Sequence, residues 1–146
     1  MQIEFKIDPS CREPKIVIFA EKLSPEVELL LRRLSEDTPQ VIAGFRDDHV
    51  CLLEQSEIIR IYSASSKVFA VTPSGEYTLR LRLYELENRL DSKCFVRISN
   101  SEIINLKKVK NFDLSFSGTI CVHFLDKSTT FVSRRYVSKI KQVLGI

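Results

Sequence analysis

Two hydrogen-bonding forks, Asn100 and Arg135, are the residues of this chain best placed to do recognition chemistry. Each stands where an apolar-patterned stretch gives way to a polar one. Asn100 divides Phe95-Val96-Arg97-Ile98-Ser99 from Ser101-Glu102-Ile103-Ile104-Asn105-Leu106, and Arg135 lies in Ser133-Arg134-Arg135-Tyr136-Val137. An asparagine amide matches an adenine edge, and an arginine fork matches guanine O6 and N7. Both contacts need a side chain rooted on a rigid element, because a wandering fork cannot hold two bonds at once. On residue type alone, a turn asparagine serving its own backbone is the commoner role for Asn100. Asn105 reads as structural, ending a buried run and setting the turn into Leu106. Ser133 reads as the cap of a helix whose first turn carries Arg134 and Arg135, against the preference of the helix dipole, so an anion such as a DNA phosphate would complete the site.

Catalysis is hard to assemble from what remains. His49 sits beside a turn and His123 inside a strand pattern, and neither has a positioned acid partner or a G-x-S-x-G elbow nearby. The 4 glycines form no phosphate-cradling loop. Cys11, Cys51, Cys94 and Cys121 lie far apart without metal-ligand spacing; reduced thiols acting as small hydrophobes fit a reducing cytoplasm. We therefore expect no enzyme, no metal and no cofactor.

The elements that must position the forks are mostly strands. Gln2 to Asp8 alternates with Ile3, Phe5 and Ile7 on one face, and Lys15–Ala20 is β-branched and apolar; a turn at Pro9–Arg12 would join them as two strands. Ser24, Pro25 and Glu26 then mark a helix start, and the helix is expected to stop before Pro39. From Val41 onward, short strand patterns follow at Val41–Arg46, His49–Glu54, Ile58–Tyr62, Lys67–Val71, Tyr77–Leu81, Phe95–Ser99, Val109–Phe116, Thr119–Leu125 and Thr129–Val132. Helical spacing of Leu83, Leu86 and Leu90 predicts a second helix, and a third is expected from about Arg134 to Leu144. The fold class is thus mostly β with short helices, a β-β-α extension over residues 1–40 preceding the main domain at 41–146.

Bulk properties agree with an ordinary globular chain. At 146 residues, 44% hydrophobic and 28% charged, it can bury one good core plus a short appendage. The net charge of +3 alone argues for no polyanion. Its distribution says more: residues 1–48 carry 7 Lys/Arg against 10 Asp/Glu, and residues 49–146 carry 15 against 9. Neither a leader's apolar stretch nor a run long enough to span a bilayer is present, so a cytoplasmic protein is expected.

From Val41 to Ile146 the chain resembles the LytTR family of bacterial DNA-binding domains. The resemblance is carried by Glu57-Ile58-Ile59-Arg60-Ile61, Lys67–Val71, Leu83-Tyr84-Glu85-Leu86-Glu87, Phe95–Leu106 and Ser133–Val137, in matching order and spacing. It implies an elongated fold of three small antiparallel sheets, in which loops at sheet edges enter the major groove. It further implies two protomers on a direct repeat of double-stranded promoter DNA, that is, a homodimer at least on DNA. By position, Lys67 with Ser66 beside it, Asn100 and Arg135 would reach bases, and Ser101 and Arg134 would hold phosphates. Ser99 departs from the histidine that many members carry, which removes one donor. Residues 1–40 are too few for a phosphoacceptor domain and look like those of small stand-alone members, which implies a small membrane-protein inhibitor as a further partner. The reading is a sequence-specific transcriptional regulator. The competing one is a β interaction module that sequesters a protein, favoured by the modest charge and by Ser99.

Overall fold

The computed structural model describes residues 1–35 and 41–146, which divide into two units, Met1–Asp37 and Thr38–Ile146. In the first unit, helix α1 (Pro25–Ser35) starts as its sequence predicts, with the Val27 N–H donating to Ser24 Oγ at 3.3 Å and acids at Glu26 and Glu28 facing the dipole. Its expected end before Pro39 lies outside the described residues. The turn at residues 8–11 forms too: the Ser10 N–H and hydroxyl donate to Asp8 Oδ1, and the Cys11 N–H to the Asp8 carbonyl at 3.0 Å. Ser10's hydroxyl, then its N–H, holds the Asp8 carboxyl below its ordinary range. The two strands expected on either side do not form; residues 2–8 and 15–20 pair with nothing in the structure. A lone two-stranded hairpin is marginal in water, and here Ile3, Phe5 and Ile7 have no layer to cover them.

Among the described residues, the second unit is built from ten antiparallel strands. Strands β1 (Val41–Arg46), β2 (His49–Glu54), β3 (Arg60–Ala64), β4 (Lys67–Thr72), β5 (Gly75–Leu79), β6 (Phe95–Ser99) and β7 (Glu102–Asn105) make one sheet in the order β2-β1-β5-β4-β3-β7-β6. β8 (Val109–Asp113), β9 (Ile120–Phe124) and β10 (Thr129–Val132) make a second. Two sheets therefore replace the three that the resemblance implied. The β3–β5 meander takes up the β1–β2 hairpin through Phe45↔Thr78 and the β6–β7 hairpin through Arg60↔Ile104, which merges them. Gly44 permits that approach, since a Cβ there would lie 2.7 Å from Leu53 Cδ1 and 2.9 Å from Tyr77 Cβ.

Apolar clusters cover one face of the large sheet and, about β6 and β7, the other as well. On one, Ile42, Leu53, Ile58, Ile61 and Leu79 pack with Leu83, Leu86 and Leu90 of helix α2 (Leu83–Arg89) and its exit. On the other, Ile59, Val96, Ile98 and Ile104 meet Ile120, Val122, Phe124 and Val132 of the second sheet and Ile140 of helix α3 (Val137–Leu144). β7 lies between the two, with Ile103 in the first core and Ile104 in the second, so all four of its residues are buried. Its polar ends are satisfied. Glu102 accepts from Arg60 at 3.2 Å and from the Thr130 hydroxyl at 2.9 Å, joining the two sheets. Asn105 donates to the Ile58 carbonyl at 2.8 Å and accepts from the Lys107 N–H at 3.0 Å, the structural role its sequence position suggests.

Asn105 is 1% exposed, so its removal leaves the buried Ile58 carbonyl and the part-buried Lys107 N–H without their side-chain partner. Asn105→Ala is expected to lower unfolding free energy by about 2–4 kcal/mol. Asn105→Asp, which keeps the acceptor but sets a buried carboxylate oxygen against the Ile58 carbonyl, should cost at least as much. Urea denaturation measures both.

Candidate nucleic-acid interface

The candidate residues sit on three connections held by main-chain hydrogen bonds. The first is the two-residue turn Ser65-Ser66 between β3 and β4, where both φ values are positive (51° and 63°). That geometry suits the right-handed twist of a hairpin, and asparagine or glycine normally occupies it. Serines pay for it in strain while keeping two hydroxyls at the tip beside exposed Lys67. The second is the turn Asn100-Ser101 between β6 and β7. There the register shifts between Arg97 and Ser99, a bulge that lets the tip leave the sheet at a new angle. The Ser63 N–H donates to the Ser101 carbonyl at 2.8 Å, so the first two tips emerge at the same end of the sheet. The third is the 3₁₀ turn Arg134–Tyr136 leading into α3, fixed to β6 by the Ser133 N–H donating to the Ile98 carbonyl at 2.9 Å.

Ser133 does not act as the expected cap. Its side chain makes no capping bond, and a 3₁₀ turn, not the first turn of an α-helix, carries Arg134 and Arg135. α3 starts only at Val137, so the dipole argument for an anion at these arginines lapses. Exposure replaces it. Arg134, Arg135, Lys67, Ser66, Asn100 and Ser101 are all exposed, and the side chains of Lys67 and Arg135 make no hydrogen bond or ion pair with any of the described residues. The Arg134 guanidinium lies over Gly118, its Nε 3.5 Å from where a Cβ there would stand.

Two residues that position the Asn100 turn escaped the sequence reading. Arg97 projects from β6 and folds over it, donating through Nε to the Ser99 carbonyl at 2.7 Å, through one Nη to the Asn100 carbonyl, and through the other to Glu87 of α2. Only a guanidinium supplies three donors in that fan. Tyr136 donates its hydroxyl to Asn100 Oδ1 at 3.2 Å, linking the second connection to the third. This fixes the amide so that both N–H donors of Asn100 and one Oδ1 lone pair stay available. Ser99 also has a local task, since its Oγ accepts from the Ser101 N–H at 3.1 Å. An arginine three positions before a turn asparagine was the one available signal, and it is a faint one.

Two arginines elsewhere lie over aromatic rings: Arg80 over Phe45 at 4.1 Å and Arg46 over Tyr77 at 3.8 Å. All four cysteines are unpaired thiols; burial pushes that of Cys121 up.

Residues 48–145 match the family described as the LytTr DNA-binding domain. The chain belongs to that family. Among curated relatives, proteins named as HTH-type transcriptional regulators from Staphylococcus aureus strains NCTC 8325 and COL are each 31% identical over 147 residues, covering 100% of this chain and 99% of theirs. The similarity therefore extends through the residues that precede the LytTr region. The "HTH-type" of those names has no counterpart here, because no two α-helices are consecutive among the described residues. Among solved structures, the LytTr DNA-binding domain of a protein described as a methyl-accepting/DNA response regulator from Bacillus cereus superposes with a TM-score of 0.71 at 20% identity. It covers 73% of this chain and 98% of that one, so the fold is of LytTr type. No helix among the described residues is long and apolar enough to cross a membrane.

Two outcomes follow from the turns. Arg97→Lys keeps a charge and loses the fan, so DNA affinity should drop several-fold with thermal stability reduced by about 2 kcal/mol or less, as circular dichroism and fluorescence anisotropy would record. Ser66→Gly relieves the positive φ and should raise stability by about 1 kcal/mol, read from the denaturation midpoint.

Proposed function

We propose that this chain is a DNA-binding transcriptional regulator that reads a direct-repeat promoter site through loop residues in successive major grooves, two protomers to a site. Lys67, Asn100 and Arg135 contact base edges; Ser66, Ser101 and Arg134 contact phosphates. The observation that carries the reading is that three exposed polar tips stand on one rigid frame, tied by the main-chain bonds Ser63–Ser101 and Ser133–Ile98 and by the Tyr136 hydroxyl on Asn100. A bidentate base contact is worth about 1–3 kcal/mol of discrimination only when its root is fixed, and this frame fixes it. Membership of a DNA-binding family and relatives named as transcriptional regulators support the same conclusion.

The roles divide chemically. Arg135 presents a fork that suits guanine O6 and N7. Asn100, oriented by Tyr136, offers a donor and an acceptor together, as adenine requires. Lys67 is a point charge at a hairpin tip and suits any acceptor, base or phosphate. Hydroxyls at Ser66 and Ser101 add neutral donors that position the protein without reading sequence.

Selection of bound sequences from a random duplex pool, followed by binding across a salt series, tests this. The expected result is a direct repeat about one helical turn apart and an affinity that falls steeply with salt. On that site Arg135→Ala should cost about 1–3 kcal/mol and relax preference at one base pair, and Arg134→Ala should weaken all sequences alike and lower the salt slope by about 1. Tyr136→Phe should weaken the cognate site several-fold with scrambled DNA unaffected. Failure to enrich any sequence, with only salt-labile binding, would return the protein to the sequestering module.

A further inference from the structure

Residues Met1–Asp37 form a unit in which many of the described apolar side chains stand in solvent. Ile3, Phe5 and Ile7 are 87%, 88% and 82% exposed, and Phe19 is 94% exposed. So short a segment cannot bury a core of its own. Its first residues nonetheless alternate as a strand does, with Ile3, Phe5 and Ile7 on one face and Glu4 and Lys6 on the other. A strand pattern with no strand beside it asks for a partner, and the order of residues says which one.

Counted outward from Phe5, the flanking pairs are Glu4 with Lys6 and Ile3 with Ile7. The segment is therefore its own complement. Laid antiparallel on a second copy with Phe5 opposite Phe5, it sets Glu4 against Lys6 twice and Ile3 against Ile7 twice. The neighbouring registers fail. A shift of two one way puts Glu4 opposite Glu4, and of two the other way puts Lys6 opposite Lys6 and Glu4 opposite Asp8. A shift of one sets charged residues against apolar ones and turns the faces over. Parallel pairing in register sets every charge against its like. Directly opposed unlike charges and apolar pairs favour a pairing, and like charges oppose it.

We propose that Ile3–Ile7 pairs antiparallel with the same segment of a second copy across a two-fold axis at Phe5, joining two chains through their N-terminal units. The contact is isologous, so each favourable pair occurs twice for one residue identity. The apolar face of the paired strands is then available to the other exposed apolar side chains of the unit, Ile16, Phe19 and Leu23 of both copies. Pairing alone would be marginal, and that cover is what a two-stranded ribbon needs. This inference does not rest on the DNA reading, because none of its residues belongs to the loops assigned to DNA.

Sedimentation equilibrium of the full chain without DNA, over a micromolar concentration range, tests it. The parent should dimerise. Glu4→Lys and Lys6→Glu should each weaken dimerisation on the order of tenfold, because each places like charges opposite one another twice. The double variant Glu4→Lys/Lys6→Glu restores the opposition of unlike charges and should regain the parent's affinity. Unchanged circular dichroism in all three confirms that folding is intact. A chain monomeric at every concentration, whatever else it binds, overturns the proposal. So does a dimer indifferent to the single reversals, and so does a double variant no tighter than the singles.

Discussion

Strand β7 must bury both of its faces, and the rest of the second unit is arranged to let it. Four consecutive residues, Glu102-Ile103-Ile104-Asn105, lie where neither side of the sheet meets water. Alternation sends Ile103 into one core and Ile104 into the other, so the two cores share a backbone. A strand so placed cannot carry an unpaired polar group, since an orphaned donor or acceptor there costs about 1–3 kcal/mol. Glu102 and Asn105 are therefore engaged on every side that matters: the acid by Arg60 and Thr130, the amide by Ile58 and Lys107. Because Thr130 belongs to the second sheet, one carboxylate also fixes how the two layers meet.

The three candidate tips inherit their rigidity from this strand. The Asn100-Ser101 turn is the entry to β7, and the Ser65-Ser66 turn is the exit of the strand paired with it. Arg97 ties the first of these turns to α2 through Glu87, and Tyr136 ties it to the approach to α3. Exposed polar side chains thus stand on backbone whose freedom was removed by apolar packing a few residues away. That is the arrangement a base-edge reader requires, since the entropy of ordering the fork is met in folding and not at the DNA.

Much of this was legible in the chain itself. The strands Val41–Arg46 and His49–Glu54, the helix behind Ser24 and the structural role of Asn105 follow from local patterns, because period and turn chemistry are local properties. The strands expected at residues 2–8 and 15–20 have the right alternation, yet alternation specifies a face and not the neighbour that covers it. Ser133 has the composition of a cap, but the Ile98 carbonyl claims its main chain first. Arg97 and Tyr136 were invisible as positioning residues because their partners lie across a bulge or in another connection, and no spacing rule links them. The count of sheets failed for the same reason: a single pair, Phe45↔Thr78, decides whether a hairpin joins its neighbour.

The bonds between Ser63 and Ser101 and between Ser133 and Ile98 run entirely through main-chain atoms. They are indifferent to which side chains occupy the tips. Replacement of Ser66, Lys67 or Arg135 therefore leaves those bonds in place, whereas replacement of Glu102 or Asn105 removes bonds from the interior. A frame of this kind separates what holds the loops in place from what the loops present.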